Sequence, residues 1–187
     1  MKKAIIVAGP SGSGKGTLCR HLLSVYTFLK LSVSATTRSS RGNEIHGVDY
    51  FFWEVHAFLE AKDHGLLLEY EEVYPGRWYG TIHRIVEEIW QEEKVALFDV
   101  DVAGALRLKR KLGDNALSIF IDPPSIEVLS KQLHARGTES PEQIAIRLDK
   151  APHEISQKHL FDKIVRNHDL WQAKIEIVKI VENFLSK

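Results

Sequence analysis

A single cysteine among 187 residues excludes an intramolecular disulfide and a multi-cysteine zinc site, and makes a reducing compartment the expected setting. A charge excess is missing too. The 25 Lys+Arg balance 25 Asp+Glu, which argues against a general nucleic-acid coat and leaves only local basic patches as anion sites. No apolar run approaches the roughly 18 residues of a membrane span. The opening Met1-Lys2-Lys3 leads into Ala4–Ala8, which is shorter than a secretory apolar segment of about 7–15 residues. The expectation is therefore a soluble cytoplasmic protein with neither nucleic acid nor membrane as partner. Repeats, low-complexity tracts and Pro/Gly/Ser linkers are absent as well. The nine histidines are scattered without metal-ligand spacing and read as structural or surface residues.

What is present is an ordinary globular composition, 44% apolar and 27% charged, on a chain long enough for one domain with a real core. Short apolar runs read as strands at Ala4–Ala8, Leu31–Ala35, Leu66–Val73, Val95–Val100, Leu117–Ile121 and Lys163–Arg166. Helical periodicity marks Thr17–Tyr26, Val55–Ala61, Ile82–Trp90, Val102–Leu112, Ile126–Ala135 and Leu170–Leu185. Near-continuous apolar strands alternating with amphipathic helices predict an α/β fold with a parallel sheet covered on both faces. Between Ser39 and Gly80 the chain is rich in aromatics and charges, the texture of an inserted β-rich subdomain carrying a polar pocket. The irregular stretch Arg136–Pro141, between two helices, reads as a lid. Cys19, set among Leu18, Leu22 and Leu23, reads as a buried apolar residue.

The most informative run is Gly9-Pro10-Ser11-Gly12-Ser13-Gly14-Lys15-Gly16-Thr17, between a strand and a helix. It has the G-x-x-x-x-G-K form of a phosphate-binding loop. Glycines let backbone N–H groups converge on phosphate oxygens, the following helix adds its positive end, and Lys15 brings a mobile charge to the β- and γ-phosphates. The hydroxyl residue that usually follows the lysine and binds Mg²⁺ is replaced by Gly16. Downstream, Ser32–Arg41 places Arg38 and Arg41 three apart, and a guanidinium fork suits bidentate phosphate binding. Gly47-Val48-Asp49-Tyr50-Phe51-Phe52, then Glu69, then Trp78-Tyr79-Gly80-Thr81 follow in order.

With these segments the chain resembles the guanylate kinase family over nearly its whole length. Asp99–Ala105, Pro123-Pro124-Ser125, Arg136–Ser140 and Asn167 extend the match. The resemblance implies a P-loop NTPase-type parallel sheet core with helices on both faces, an inserted GMP-binding β-rich subdomain and a small lid. It implies a single domain over all 187 residues, with the core at about 1–35, 82–135 and 159–187, the GMP-binding subdomain at about 36–81 and the lid at about 136–158. It implies ATP-dependent phosphorylation of GMP in purine nucleotide metabolism, with Mg²⁺ accompanying ATP. Ser11, Gly12, Ser13, Gly14, Lys15, Gly16 and Thr17 would hold the ATP phosphates, and Asn167 would lie near the adenine. Ser34, Arg38, Arg41, Tyr50 and Tyr79 would surround the GMP phosphate, while Glu69 and Thr81, with Ser34 close by, would read guanine. Asp99 and Asp101 would orient Mg²⁺, its waters or the GMP. Lys15, Arg41, Arg136 and Arg147 would be catalytic, the last two from the lid.

The chain departs from the family pattern in several places. Gly16 replaces a usual Ser, Ser40 and Gly42 replace prolines around Arg41, Tyr74-Pro75-Gly76 is one residue longer, and His168 replaces an Asp. Pro152, inside a helix soon after Arg147, is expected to kink or end it. Two alternatives share the scaffold. A catalytically inactive protein-binding module would have a degraded phosphate loop, whereas Lys15, Arg136 and Arg147 are all present. A kinase for another nucleoside monophosphate fits the Lys15-Gly16-Thr17 form, but Glu69 and Thr81 speak against adenine. Neither a monomer nor a homodimer is favoured.

Overall fold

The computed structural model describes residues 2–137 and 139–186. The chain runs β1 (Ala4–Ala8), α1 (Lys15–Val25), β2 (Leu29–Leu31), β3 (Ala35–Thr36), β4 (Phe51–Phe52), α2 (Val55–Asp63), β5 (Leu67–Tyr74) and β6 (Arg77–Ile82). It continues through α3 (His83–Gln91), β7 (Val95–Asp99), α4 (Val102–Leu112), β8 (Ala116–Asp122), α5 (Ile126–Arg136), α6 (Pro141–Ser156), β9 (Lys163–Arg166) and α7 (Leu170–Leu185).

Strands β2, β7, β1, β8 and β9 pair in that order in one parallel sheet. Alternate residues of each strand face opposite ways, so the apolar runs serve two cores at once. Ile6, Phe98 and Phe120 pack with Val86 and Ile89 of α3 and with Val102, Ala105 and Leu108 of α4. On the other face Ile5, Val7, Leu97, Ile119 and Ile121 pack with Leu18 and Leu22 of α1, Cys19, and Ala173, Ile177 and Val181 of α7. Strand β1 is central, and its pairing of Val7 with Asp99 sets the end of β7 beside the loop that leaves β1. That is the carboxyl edge where open parallel sheets hold ligands.

A second sheet, ordered β4-β3-β6-β5, rises from residues 35–82. Its hairpin β5–β6 is antiparallel, and Phe58 and Ala61 of α2 pack beneath it with Ala35, Leu67 and Ile82. The apolar run expected as one strand, Leu31–Ala35, is divided between the sheets. Ser32 N–H still bonds to Leu97 in the first sheet, whereas the Ser34 carbonyl already accepts from Phe51 beside the second. Strands β4 and β6 were not marked by the apolar pattern, because their aromatic and polar residues serve a small, half-exposed sheet. Helix α6 runs through Pro152 to Ser156, so the proline does not end it. Trp90 packs into the core and donates to the Lys3 carbonyl, while Trp171 is 69% exposed.

Candidate active site

The glycine-rich loop leaves β1 and closes onto α1. Gly14 caps that helix in the left-handed region at φ 92°, and a Cβ there would lie 2.4 Å from Asn167 Nδ2. Both conditions demand glycine. Asn167 donates 2.8 Å to the Ser13 carbonyl, so the end of β9 braces the loop from behind. Lys15 Nζ donates back across the loop to the Pro10 carbonyl at 3.2 Å. Gly16 faces Asp99: a Cβ at that position would meet Asp99 Oδ2 at 3.3 Å and Arg20 Nη1 at 3.5 Å. The carboxylate thus stands where the side chain of a residue at position 16 would project.

Across the cleft, Arg38 is held from every side. Its guanidinium pairs with both oxygens of Glu44 at 2.6 and 2.7 Å, bonds Tyr79 Oη at 3.2 Å and lies 4.8 Å from the centre of the Tyr50 ring. Burial works against its charge, but Glu44 outweighs that and holds Arg38 even more firmly protonated than a free arginine. Glu44 also accepts the Arg41 backbone N–H at 2.7 Å. One carboxylate therefore fixes both arginines that the sequence pairs. The pKa of Arg41 is pulled down by burial and by neighbouring Arg38.

Deeper in the cleft the pairing of β5 with β6 sets Glu69 opposite Thr81. Thr81 Oγ1 donates 2.8 Å to Glu69 Oε1. The other oxygen, Oε2, lies against α4, where a Cβ on Gly104 would come within 2.8 Å of it. Glycine makes that approach possible. Burial, reinforced by the charge of Asp101, pushes the Glu69 carboxyl up to about 7. Asp101 itself caps α4 by accepting from Gly104 N–H at 2.8 Å. Burial raises the pKa of Asp101 and of Asp99, and the charge of Lys15 is the largest of those that offset it for Asp99.

Arg136 and Arg147, expected from the lid, reach the same space. Arg147 of α6 donates to Ser11 Oγ, pairs with Glu139 at 2.7 Å and lies 5.3 Å from the centre of the Tyr74 ring. Arg136, at the end of α5, is exposed and lines the rim. Thr138 of the lid segment lies outside the described residues.

One cleft, open to solvent, gathers most of the expected residues. Ser11, Gly12, Gly14, Lys15, Gly16, Ser34, Arg38, Arg41, Tyr50, Glu69, Tyr79, Asp99, Asp101, Arg136 and Arg147 all line it. The other expected residues stand behind the wall. Thr81 supports Glu69, Asn167 supports the loop, Ser13 is buried, and Thr17 accepts from Arg20. Sequence reasoning missed Glu44, Tyr74, Glu139, Lys150 and Glu154, all of them lining the cleft or pairing with residues that do. The one usable signal was Glu44, an acid three residues beyond Arg41 in an arginine-rich turn. The carboxyl of Glu154, opposite Lys15 in charge, is pushed up to about 7 by burial.

A glycine-rich loop between a central strand and a helix, at the carboxyl edge of a parallel sheet and facing an arginine-lined cleft, defines the P-loop class of nucleotide-binding folds. The family model for guanylate kinase matches residues 1–186. The chain is 45% identical to the guanylate kinase of Bacteroides fragilis over 98% of its length and 90% of that protein. It is also 45% identical to the guanylate kinase of Porphyromonas gingivalis, with all of both chains covered. A crystal structure of guanylate kinase from Anaplasma phagocytophilum superposes with a TM-score of 0.79 at 29% identity, covering 97% of this chain and 85% of that one. The chain belongs to the guanylate kinase family. Among the described residues, no helix is long and apolar enough to cross a membrane.

Proposed function

We propose that this protein transfers the γ-phosphoryl group of ATP to GMP, yielding ADP and GDP, in the purine nucleotide metabolism of the cytoplasm. The observation that carries the reading is the Glu69 carboxylate, held by Thr81 in the same cleft as the phosphate-binding loop. Guanine offers N1–H and an exocyclic amine side by side, two donors that match one carboxylate. Adenine has an unprotonated N1 there, which would face the carboxylate and leave it unpaired. Sites built on such bonds can discriminate by about 10⁴–10⁵.

Residues of about 36–81 then form the GMP-binding unit, about 136–158 the lid, and the remainder the core. Lys15 and the amides of Ser11–Thr17 hold the ATP phosphates, while Arg38, Arg41, Tyr50 and Tyr79 hold the GMP phosphate. The two sites open on one cleft, so an oxygen of the GMP phosphate attacks the γ-phosphorus directly. Catalysis is then positioning and charge neutralisation, with Arg41, Arg136 and Arg147 spreading over the transferring group.

Mg²⁺ carried with ATP fits the donor set. Magnesium favours oxygen ligands and keeps several waters, and Asp99 and Asp101 both line the cleft near the loop. Asp101 already spends one oxygen on Gly104, which leaves Asp99 as the principal orienting carboxylate. Among the described residues, no cluster of three metal-ligating side chains is present, so the ion would lean on phosphate oxygens and water. Its chemistry there is to neutralise charge on the β- and γ-phosphates.

A coupled assay with ATP and a panel of GMP, AMP, CMP and UMP tests the proposal. GMP should be turned over with kcat/KM at least about 10³ above AMP. Equal use of AMP would refute it.

A further inference from the structure

Glu139 lies in the short connection between α5 and α6, and its side chain is fully enclosed. Oε1 stands 2.9 Å from Arg41 Nη1, which belongs to the unit carrying the second sheet, and 2.7 Å from Arg147 Nη2 on α6. One carboxylate thus bridges two arginines from separate parts of the chain. The fit is electrostatic and poorly directed. Among the described residues, neither oxygen of Glu139 has a hydrogen-bond partner of good geometry, and Arg41 Nη2 and Arg147 Nε are likewise buried without one. Charge explains why an anion is held there at all. Burial and the positive fields of Arg38 and Arg147 both bear against the Arg41 guanidinium, and Glu139 offsets them.

A phosphate would satisfy this cluster better than a carboxylate does. It brings a charge of about −1.5 to −2 and three strong acceptor oxygens pointing in different directions, against one charge and one planar pair. It could reach the donors that Glu139 leaves unpaired. The two anions cannot share the gap, because a carboxylate beside a phosphate would add repulsion in a place screened from water. Arg147 is also held by Ser11 Oγ and by the face of Tyr74.

We propose that Glu139 is a built-in competitor for the substrate phosphate: its carboxylate and the GMP phosphate take Arg41 and Arg147 in turn. Binding GMP ejects Glu139 from between the arginines, so the lid segment that carries it moves when the substrate arrives. The affinity for GMP is set partly by the cost of that ejection. The inference rests on the reading of Arg41 as a phosphate ligand given above.

The test compares Glu139→Gln and Glu139→Ala with the unaltered protein, using calorimetric titration with GMP and thermal melts with and without inorganic phosphate. Removing a competitor raises the fraction of protein ready to bind, so both variants should bind GMP roughly three- to tenfold more tightly. Inorganic phosphate should raise their melting temperatures by more than it raises that of the parent, a comparison that holds even if a variant starts from a lower melting point. The kcat should stay within about twofold, because Glu139 has left before the transition state. Arg41→Ala is the control for the underlying site. If it weakens GMP binding while neither Glu139 variant tightens it, the competition is refuted and the phosphate site stands. A tenfold loss of kcat at unchanged GMP affinity would also refute it, by showing that Glu139 remains in place and positions the arginines. If Arg41→Ala binds GMP normally, the site reading fails and this inference with it.

Discussion

Glu69 is where a single side chain decides most. Its carboxyl is buried, bonded by Thr81 on one oxygen, approached by α4 on the other, and pushed up to about 7. A carboxyl raised above its unfolded value favours the protonated form in the fold. Its contribution to stability is therefore present at acid pH and lost as pH rises through about 7. Guanine recognition as proposed for Glu69 runs the other way, since two donors need the ionised form. GMP affinity should weaken as pH falls below about 7, and Glu69→Gln should remove that dependence. The GMP phosphate also titrates near pH ~6, in both proteins alike. The difference between their calorimetric pH profiles isolates the carboxyl, and parallel profiles would contradict the assignment. At this scale Lys15, Arg38 and Glu69 were legible because each sits in an ordered motif. Glu139 was not, and Glu44 was marked only by its place three residues beyond Arg41. An acid among charged neighbours reads as a solvated side chain until the fold shows which cation it meets.

Among the elements, α6 carries the strongest mechanistic expectation. Arg147 reaches from it to Ser11 of the phosphate-binding loop, so helix and loop close on one another. Charge beside a transferring phosphoryl group counts most where water is excluded. Arg147→Ala should lower kcat by about 10²-fold or more while raising the KM for ATP far less. Steady-state kinetics check this, and a raised KM with normal kcat would show that the arginine binds ground and transition states equally. Elements were legible where apolar periodicity ran uninterrupted, as in β1, β9, α4 and α7, whose limits match the sequence pattern. The limits failed at Leu31–Ala35, where the run passes from one sheet to the other and hydrogen-bonding partners change within three residues. They failed again at β4 and β6, where pairing with neighbours, more than apolar pattern, makes the strand. Pro152 misled for a related reason: beyond the proline Ile155 packs against the core, so tertiary contact, not propensity, carries α6 to its end.

At the scale of the whole molecule, the topology brings the glycine-rich loop and the arginines of the second sheet's unit to one cleft. Placing β1 at the centre of the parallel sheet brings the phosphate-binding loop beside Asp99, and the crossing at residues 32–34 sends the chain out into the second sheet and back at Ile82. The α/β class and the inserted β-rich unit could be read from the alternation of patterns and from the shift in texture after Ser39. The facing of the two pockets could not, because it depends on how the sheets lie against each other. That facing is the central claim, since it lets the phosphoryl group pass from ATP to GMP without a stop on the protein. ATP made chiral at the γ-phosphorus with oxygen isotopes, turned over with GMP, measures it directly. Direct in-line transfer inverts the configuration at phosphorus, and inversion is the predicted result; retention would require a phosphorylated side chain between two displacements and would contradict the account.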